Sequence, residues 1–420
     1  MTDTMAITGG RLIDGTGRDP VSDAVVLVED GRIKQVGSAR SVTVPRDATV
    51  LDAAGRTVLP GIVDAHIHAT YRARDMRQHL LNTPTYNVLR STAILRETLA
   101  CGVTTARDLG GADGGFKAAI AEGTVVGPKL VIAIGMISQT GGHGDSWVPA
   151  GLRVPKRTWL PDPVCDGVDG VRKTVRAMLM AGADVIKICS TGGITSVTDS
   201  WDEPQFTVEE LRVAVQEAAA KRKPVAVHAE GIDGIRTALA AECWSLEHGW
   251  FIDEESVDKM LEQGTWWVPT LALVPLSLGK RKADHAWAAQ QLGQEDAKEH
   301  DIYGRMLKQV PLWKDAVKRG VKVAFGTDQS HRLMVGENLV ELGFMIDWLG
   351  MTPMQALVSA TQHAAACVQR PDVGTLEAGK AADLLVVDGD PLDNIRILED
   401  RAKIPLVMQD GKAFRNQLAR

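Results

Sequence analysis

The sequence predicts an α/β protein, with a large domain of βα units on a parallel sheet and a smaller β domain built from both chain ends. At 420 residues the chain exceeds one small domain and suits a large domain plus a lesser one. Apolar strand runs alternate with helix-period segments through its middle, the mark of βα units. Both ends instead carry short strands separated by turns.

Residues 5 to about 57 form the first β segment. Ala6–Ile13 reads as a strand, and Ala24–Gly37 as a hairpin turning at Asp30-Gly31, a pair that tolerates the left-handed backbone of a tight turn. The run 57–63, Thr-Val-Leu-Pro-Gly-Ile-Val, is apolar and β-branched, as a buried strand should be. A helix over 169–181 stops at Gly182 and feeds a strand over 184–189. Thr207 and Glu210 have capping-box spacing and open a helix over 207–221, before a strand over 224–228. Residues 276–310 are polar with a helical pattern and read as an insertion over the mouth of the domain. A strand over 321–325 ends in Gly326-Thr327-Asp328, and a helix over 352–366 starts at Thr352-Pro353, with Gln355 closing a second capping box. The last segment returns to β character, with a strand over 383–387 and a hairpin around Asp410-Gly411. There is no internal repeat or low-complexity tract.

Composition excludes several classes. The net charge is -6 with no basic stripe, so nucleic acid is not an expected partner. No apolar run reaches about 18 residues, so no membrane span is expected. The N-terminus lacks a basic stretch followed by an apolar one, which leads us to expect a cytoplasmic protein. The five cysteines are scattered, odd in number and without a C-x-x-C pair, so buried reduced thiols are expected rather than a disulfide framework. Among ten tryptophans, Trp266-Trp267 could line a pocket, although the default for such rings is the core.

His66 and His68 carry the strongest chemical signal. Alternate residues of a strand face the same side, so imidazoles at i and i+2 can grip one metal ion from a strand end. Four more polar residues end apolar strands: Lys187, His228, His248 and Asp328. In a TIM barrel the carboxyl ends of the strands build the site. Lys187 interrupts Val185-Ile186-Lys187-Ile188-Cys189, where a buried ammonium is costly unless paired or neutralised. A carbamate formed from its amine and carbon dioxide would make it an anionic bridge between two metals; a carboxylate partner is the plainer alternative. Taken singly, His228 and His248 read as satisfied core histidines and Asp328 as a helix cap. The six in this order and spacing are what point to a metal site.

Together, Gly9-Gly10-Arg11-Leu12-Ile13-Asp14-Gly15, the Leu59-Pro60-Gly61 to His68 run, Gly326-Thr327-Asp328 and Gly379-Lys380-Ala381-Ala382-Asp383-Leu384 resemble the metal-dependent amidohydrolase superfamily. The resemblance covers nearly the whole chain. It implies a distorted TIM (β/α)8 barrel over 58–366 and a small β-sandwich made from 1–57 and 367–420. Thr104-Thr105-Ala106-Arg107-Asp108, Gln139 to Asp145, and Lys187 with Thr191-Gly192-Gly193 are similar to the branch of Xaa-Pro dipeptidases, carboxypeptidase-like enzymes and ochratoxin-degrading amidohydrolases. That branch implies two divalent ions, with zinc suited to the donors. His66, His68 and Asp328 would hold one ion and His228 and His248 the other, bridged by carboxylated Lys187. Asp328 would be general base and acid. The implied reaction cleaves an amide or peptide bond and releases a C-terminal amino acid from a dipeptide or N-acyl amino acid. A homo-oligomer is also expected.

The remaining expectations concern substrate. His143 lies in a loop whose Gly141, Gly142 and Gly144 would let a ligand come close to the backbone, and is expected to bind the substrate carbonyl or carboxylate. Where family members place an aromatic residue or histidine two positions after the strand-five histidine, this chain has Glu230, which would bind a substrate amine or orient a neighbour. His331, just past Asp328, is a further candidate contact; His79, His285 and His300 have weaker claims. The rival readings are a cyclic-amide hydrolase of the imidazolonepropionase type, a mononuclear deaminase, and a non-enzymatic relative that keeps the barrel. The deaminase reading expects a glutamate three residues after His228, where this chain has Gly231.

Overall fold

The computed structural model describes residues 4–70, 82–145, 147–148, 151–153, 159–194, 196, 198–277, 298–330 and 334–418. The chain opens with β1 (Thr4–Leu12), β2 (Val21–Glu29), β3 (Arg32–Ser38), β4 (Thr49–Asp52) and β5 (Thr57–Pro60). The turn between β2 and β3 places Asp30 and Gly31 at φ 49° and 77°, the left-handed pair their identities allow.

Parallel strands follow: β6 (Ile62–Ile67), β7 (Val103–Asp108), β8 (Lys129–Ile132) and β9 (Met136–Ile137), then the small hairpin β10 (Trp147–Val148) and β11 (Leu152–Arg153). Next come β12 (Ile186–Cys189), β13 (Val225–Ala229), β14 (Ser245–His248), β15 (Trp266–Val268) and β16 (Lys322–Val323). β6, β7 and β8 pair in order, as do β9, β12, β13, β14, β15 and β16. Two seams close the ring. Asp184 N–H donates to Ile132 C=O at 2.8 Å, and Ala65 N–H donates to Phe325 C=O at 2.9 Å beside a parallel bridge between Ile67 and Gln329. With β8 and β9 as one broken strand, this is an eight-stranded, distorted (β/α)8 barrel.

Side-chain alternation sorts the barrel into an inside and an outside. Val63, Val131, Val185, Ala226, Trp266 and Ala324 meet in one buried cluster within the ring. Their neighbours Ile132, Ile186, Val227, Leu246, Trp267 and Val323 belong to the larger core shared with the helices. Trp266 and Trp267 are thus core residues, one on each side of the wall. The helices begin where the sequence says: Thr207 and Thr352 each complete a capping box, with Glu210 and Gln355 respectively. The expected helix over 352–366 is not uniform. It runs Pro353–Val358, widens to a π-helical turn at Ser359–His363, and resumes at Ala364–Cys367. In the wider turn Ser359 C=O accepts from Ala364 N–H and also from Phe325 N–H, and Ser359 Oγ donates to Val323 C=O, tying the helix to β16.

The chain ends with β17 (Leu384–Val387), β18 (Leu406–Gln409) and β19 (Lys412–Asn416). They join the first strands in one sheet of order β19-β18-β17-β5-β1-β2-β3, with β4 also on β1. β1 is shared: residues 5–8 pair with β4 and residues 11–12 with β5, across bulges at Thr8 to Leu12. The sheet divides there, and Ile7, Val26 and Ile33 from one half meet Val58, Leu384 and Leu406 from the other in a common core, a small β-sandwich drawn from both termini. All five cysteines are buried and unpaired with one another. Among the described residues, no helix is long and apolar enough to cross a membrane. Of the expected insertion, 278–297 lies outside the described residues; helices Leu273–Ser277 and Lys298–Arg319 flank it.

Candidate metal centre

β6 loses regular register between Asp64 and Ile67, and this irregularity brings both histidines to the barrel mouth. Asp64 braces it, accepting from His66 N–H at 3.1 Å, Thr327 Oγ1 at 2.7 Å and Asn338 Nδ2 at 2.8 Å. The same bonds fix the end of the eighth strand, where Asp328 takes φ 54° and donates its N–H to His66 C=O. Nε2 of His66 and Nε2 of His68 therefore lie 3.5 and 3.3 Å from Asp328 Oδ1. These three residues form one potential ligand group.

A second group comprises His228, Glu230 and His248. In β14, Leu246 packs outside the barrel and Glu247 inside, so plain alternation would send His248 outward. Its φ of 66°, followed by 60° at Gly249, reverses that. The His248 ring instead meets those of His66 and His228, with centroids 5.1 and 4.6 Å apart. Outer partners select which nitrogen each imidazole offers. Thr270 Oγ1 is 2.7 Å from His248 Nδ1, and Gly110 C=O is 3.1 Å from His68 Nδ1, leaving Nε2 of each for the centre. His228 is the reverse: Nε2 is 3.0 Å from Gly192 C=O, leaving Nδ1.

Lys187 stands inside the barrel, on the face of β12 opposite Ile186 and Ile188. Its Nζ is buried without a hydrogen-bond partner among the described residues, so the plainer expectation of a carboxylate pair is not met. Burial lowers its ammonium, with Glu247 pulling the other way. Desolvation also holds His66, His228 and His248 well below the usual imidazole range and His68 at about 4, with the Lys187 ammonium among the further causes at each. Burial raises Asp328 to about 7 against the pull of Lys187. His66 Nε2 is a second buried atom without a hydrogen-bond partner among the described residues. Orphaned buried donors and acceptors are rare and costly. Neutral imidazoles, a carboxylate and an unpartnered amine, converging inside a wall of apolar strands, fit divalent cations.

The structure thus brings His66, His68, Lys187, His228, His248 and Asp328 to one mouth, and His143 with them. The His143 ring stacks on His228 at 4.3 Å and 17°. Of the three glycines expected to admit a ligand, Gly141 faces open space, while a Cβ at Gly142 would lie 2.5 Å from Gln205 Oε1 and one at Gly144 2.9 Å from Met136 C=O. Gly193 is the glycine that makes room for the site, since its Cβ would lie 2.1 Å from His143 Cε1. Glu230 is buried beside His228, with Oε2 accepting from Ile194 N–H and Oε1 3.8 Å from His228 Nε2, on the ring's outer edge. His79, His285 and His331 lie outside the described residues, and His300 falls in the helix Lys298–Arg319.

Sequence reasoning missed Glu247 and Arg107. Glu247 Oε2 is 2.9 Å from His66 Nδ1, and its Oε1 accepts from Arg107 at 2.8 Å and Ser245 Oγ at 2.6 Å. Both charged groups are wholly buried. Unlike Lys187, neither interrupts an apolar run: Arg107 follows Thr104 and Thr105 in β7, and Glu247 lies between Ser245 and His248 in β14, so neither charge stands out in the sequence.

An eight-stranded barrel with imidazoles, a carboxylate and an amine gathered at its carboxyl mouth defines the class of metal-type barrel hydrolases. The amidohydrolase family model matches residues 57–414. Ochratoxinase of Aspergillus niger is 32% identical over 431 residues, covering 97% of this chain and 86% of that protein. A solved Xaa-Pro dipeptidase with methionine in its active site is 30% identical with TM-score 0.84, covering 98% of this chain and 100% of its own. A prolidase complexed with N-methylphosphonate-L-proline is 31% identical with TM-score 0.87, covering 99% of this chain and 100% of its own. The chain belongs to the amidohydrolase family and is a hydrolase acting on carbon–nitrogen bonds.

Proposed function

We propose that this protein is a binuclear metal-dependent amidohydrolase releasing a C-terminal amino acid from a dipeptide or an N-acyl amino acid. The observation that carries the reading is Lys187, a buried amine without a hydrogen-bond partner among the described residues, amid four imidazoles and Asp328. Desolvation favours its neutral form. The neutral amine can add carbon dioxide, forming one N–C bond and losing one proton, to become a carbamate. His66, His68 and Asp328 would hold one ion, His228 and His248 the other, with the carbamate between them.

When bound, divalent ions, zinc by the character of the donors, would supply a water that loses its proton near neutral pH and Lewis-acid polarisation of the scissile carbonyl. Asp328 moves the proton. With Oδ1 turned toward His66 and His68, Oδ2 takes it from the attacking water and returns it to the leaving nitrogen. His143, stacked on His228, meets the substrate carbonyl or carboxylate, and His331 is a second contact. Glu230 orients His228 from the ring's outer edge. The amide class is supported by similarity to an Xaa-Pro dipeptidase and to ochratoxinase. The leaving residue is proline or a hydrophobic amino acid, or phenylalanine in an aryl amide such as ochratoxin A.

The test is a screen of zinc-loaded protein against Xaa-Pro, Xaa-Phe, Xaa-Arg, N-acyl amino acids and ochratoxin A, measuring released amino acid and metal per chain. Release with about two metals per chain is expected. Lys187→Ala should abolish release and lower metal content, and wild-type turnover in that variant would sink the binuclear assignment. Metal binding without release would point to cyclic amides or deamination.

A further inference from the structure

Thr270 follows β15 at φ 46°, a conformation sparsely populated for a β-branched residue. It is buried, and its hydroxyl is the partner of His248 Nδ1 at 2.7 Å. Something must hold the strained backbone. The next two peptide N–H groups, of Leu271 and Ala272, both donate to one carboxylate, Glu341 Oε1 and Oε2, each at 2.7 Å. Glu341 lies in the first turn of the helix Val340–Leu349 and is itself fully buried. A helix start favours a carboxylate there, yet burial still raises its carboxyl to about 8 against the two N–H donors. An apolar residue at that place would avoid the cost of burying a carboxyl group. Nothing so far described uses Glu341.

We propose that Glu341 is a positioning residue: by clamping the Leu271 and Ala272 N–H groups it keeps Thr270 turned, and Thr270 in turn sets the ring of His248. This rests on the reading of His248 as a metal ligand. The clamp ties a helix far along the chain to one ligand of the centre, and acts through one intermediary, the Thr270 hydroxyl.

The test uses the full-length protein and zinc affinity read by competition with a chromogenic chelator. Thr270→Val removes the hydroxyl and keeps the branch; Thr270→Ser restores it. Thr270→Val and Glu341→Gln should each weaken zinc binding about 10- to 100-fold, the range for loss of an outer partner of a ligand. Thr270→Ser should recover most of the loss. Because the two act in series, the double variant should bind no more weakly than the worse single. Glu341→Asp, which keeps the carboxyl group, serves should Glu341→Gln not fold, and should show a smaller loss in the same direction. Losses that multiply in the double variant, or wild-type affinity in both Glu341 variants, would overturn the clamp. His248→Ala separates this from the underlying reading. If it binds zinc as wild type does, His248 is no ligand and both fall; if it loses zinc while the Glu341 variants do not, only the clamp falls.

Discussion

Glu247→Gln isolates the charge at the bottom of the site while keeping its shape. Glu247 joins Arg107 and Ser245 on one oxygen and faces His66 Nδ1 with the other. Losing the charge leaves the Arg107 guanidinium buried with Ala65 C=O and Ser245 Oγ but no anion. Breaking such a buried pair costs about 3–5 kcal/mol. The amide also has a directional problem. If its carbonyl turns to Arg107, its NH2 faces His66, whose Nδ1 must then accept, moving the ring proton to Nε2, the atom beside Asp328. Metal affinity should therefore fall by about 10- to 100-fold or more. Urea unfolding of the chelated protein reads the first effect and chelator competition the second. In the double variant Glu247→Gln, Arg107→Met the stability loss should shrink, since the uncompensated charge is gone, while metal affinity stays low. Wild-type affinity in Glu247→Gln would refute the tautomer argument.

Two further outcomes follow from the geometry. Gly193→Ala should push His143 off its stack on His228, lowering kcat/KM about 100-fold with metal content unchanged; unaltered kcat/KM would remove His143 from substrate binding. Burial holds His68 at about 4 in the folded chain against 6.5 unfolded, so the unfolded state takes up the proton first. That contribution is complete above pH 6.5 and is lost as pH falls toward 4. The metal-free wild type should then lose about 1 kcal/mol more stability than His68→Gln between pH 7.5 and pH 5.5, measured by urea unfolding; equal losses would show that His68 is not buried neutral.

Local patterns carried much of this molecule. The i, i+2 histidines, the capping boxes at Thr207 and Thr352, and the left-handed turn pairs Asp30-Gly31 and Asp410-Gly411 are short-range features, and the structure contains each. Lys187 was legible because alternation makes a charge in an apolar strand conspicuous. The Gly-rich loop shows the limit: glycine announces that something comes close, not what, and here Gln205 and Met136 come close rather than a ligand. The π-helical turn at Ser359 depends on bonds to Val323 and Phe325, and Glu341 acts on Leu271 and Ala272 from 69 or more residues away. Neither leaves a periodic trace.

The backbone at the mouth explains why the barrel can build this site at all. A regular parallel strand offers alternate residues to the interior and the rest to the helices, which accounts for Lys187 and His228 but not for His248. His248, Thr270 and Asp328 each close a strand with φ between 46° and 66°, where non-glycine residues cost about 1–3 kcal/mol. Each is held by a specific buried bond: the Trp267 indole on His248 C=O, Glu341 beyond Thr270, and the Asp64–Thr327 pair beside Asp328. Glycine would relieve the strain at all three, yet the chain keeps a side chain at each: His248 and Asp328 reach the centre, and Thr270 meets the outer nitrogen of His248. The three turned strand ends are the backbone's share of the metal-centre reading, and they carry it through the side chains they aim.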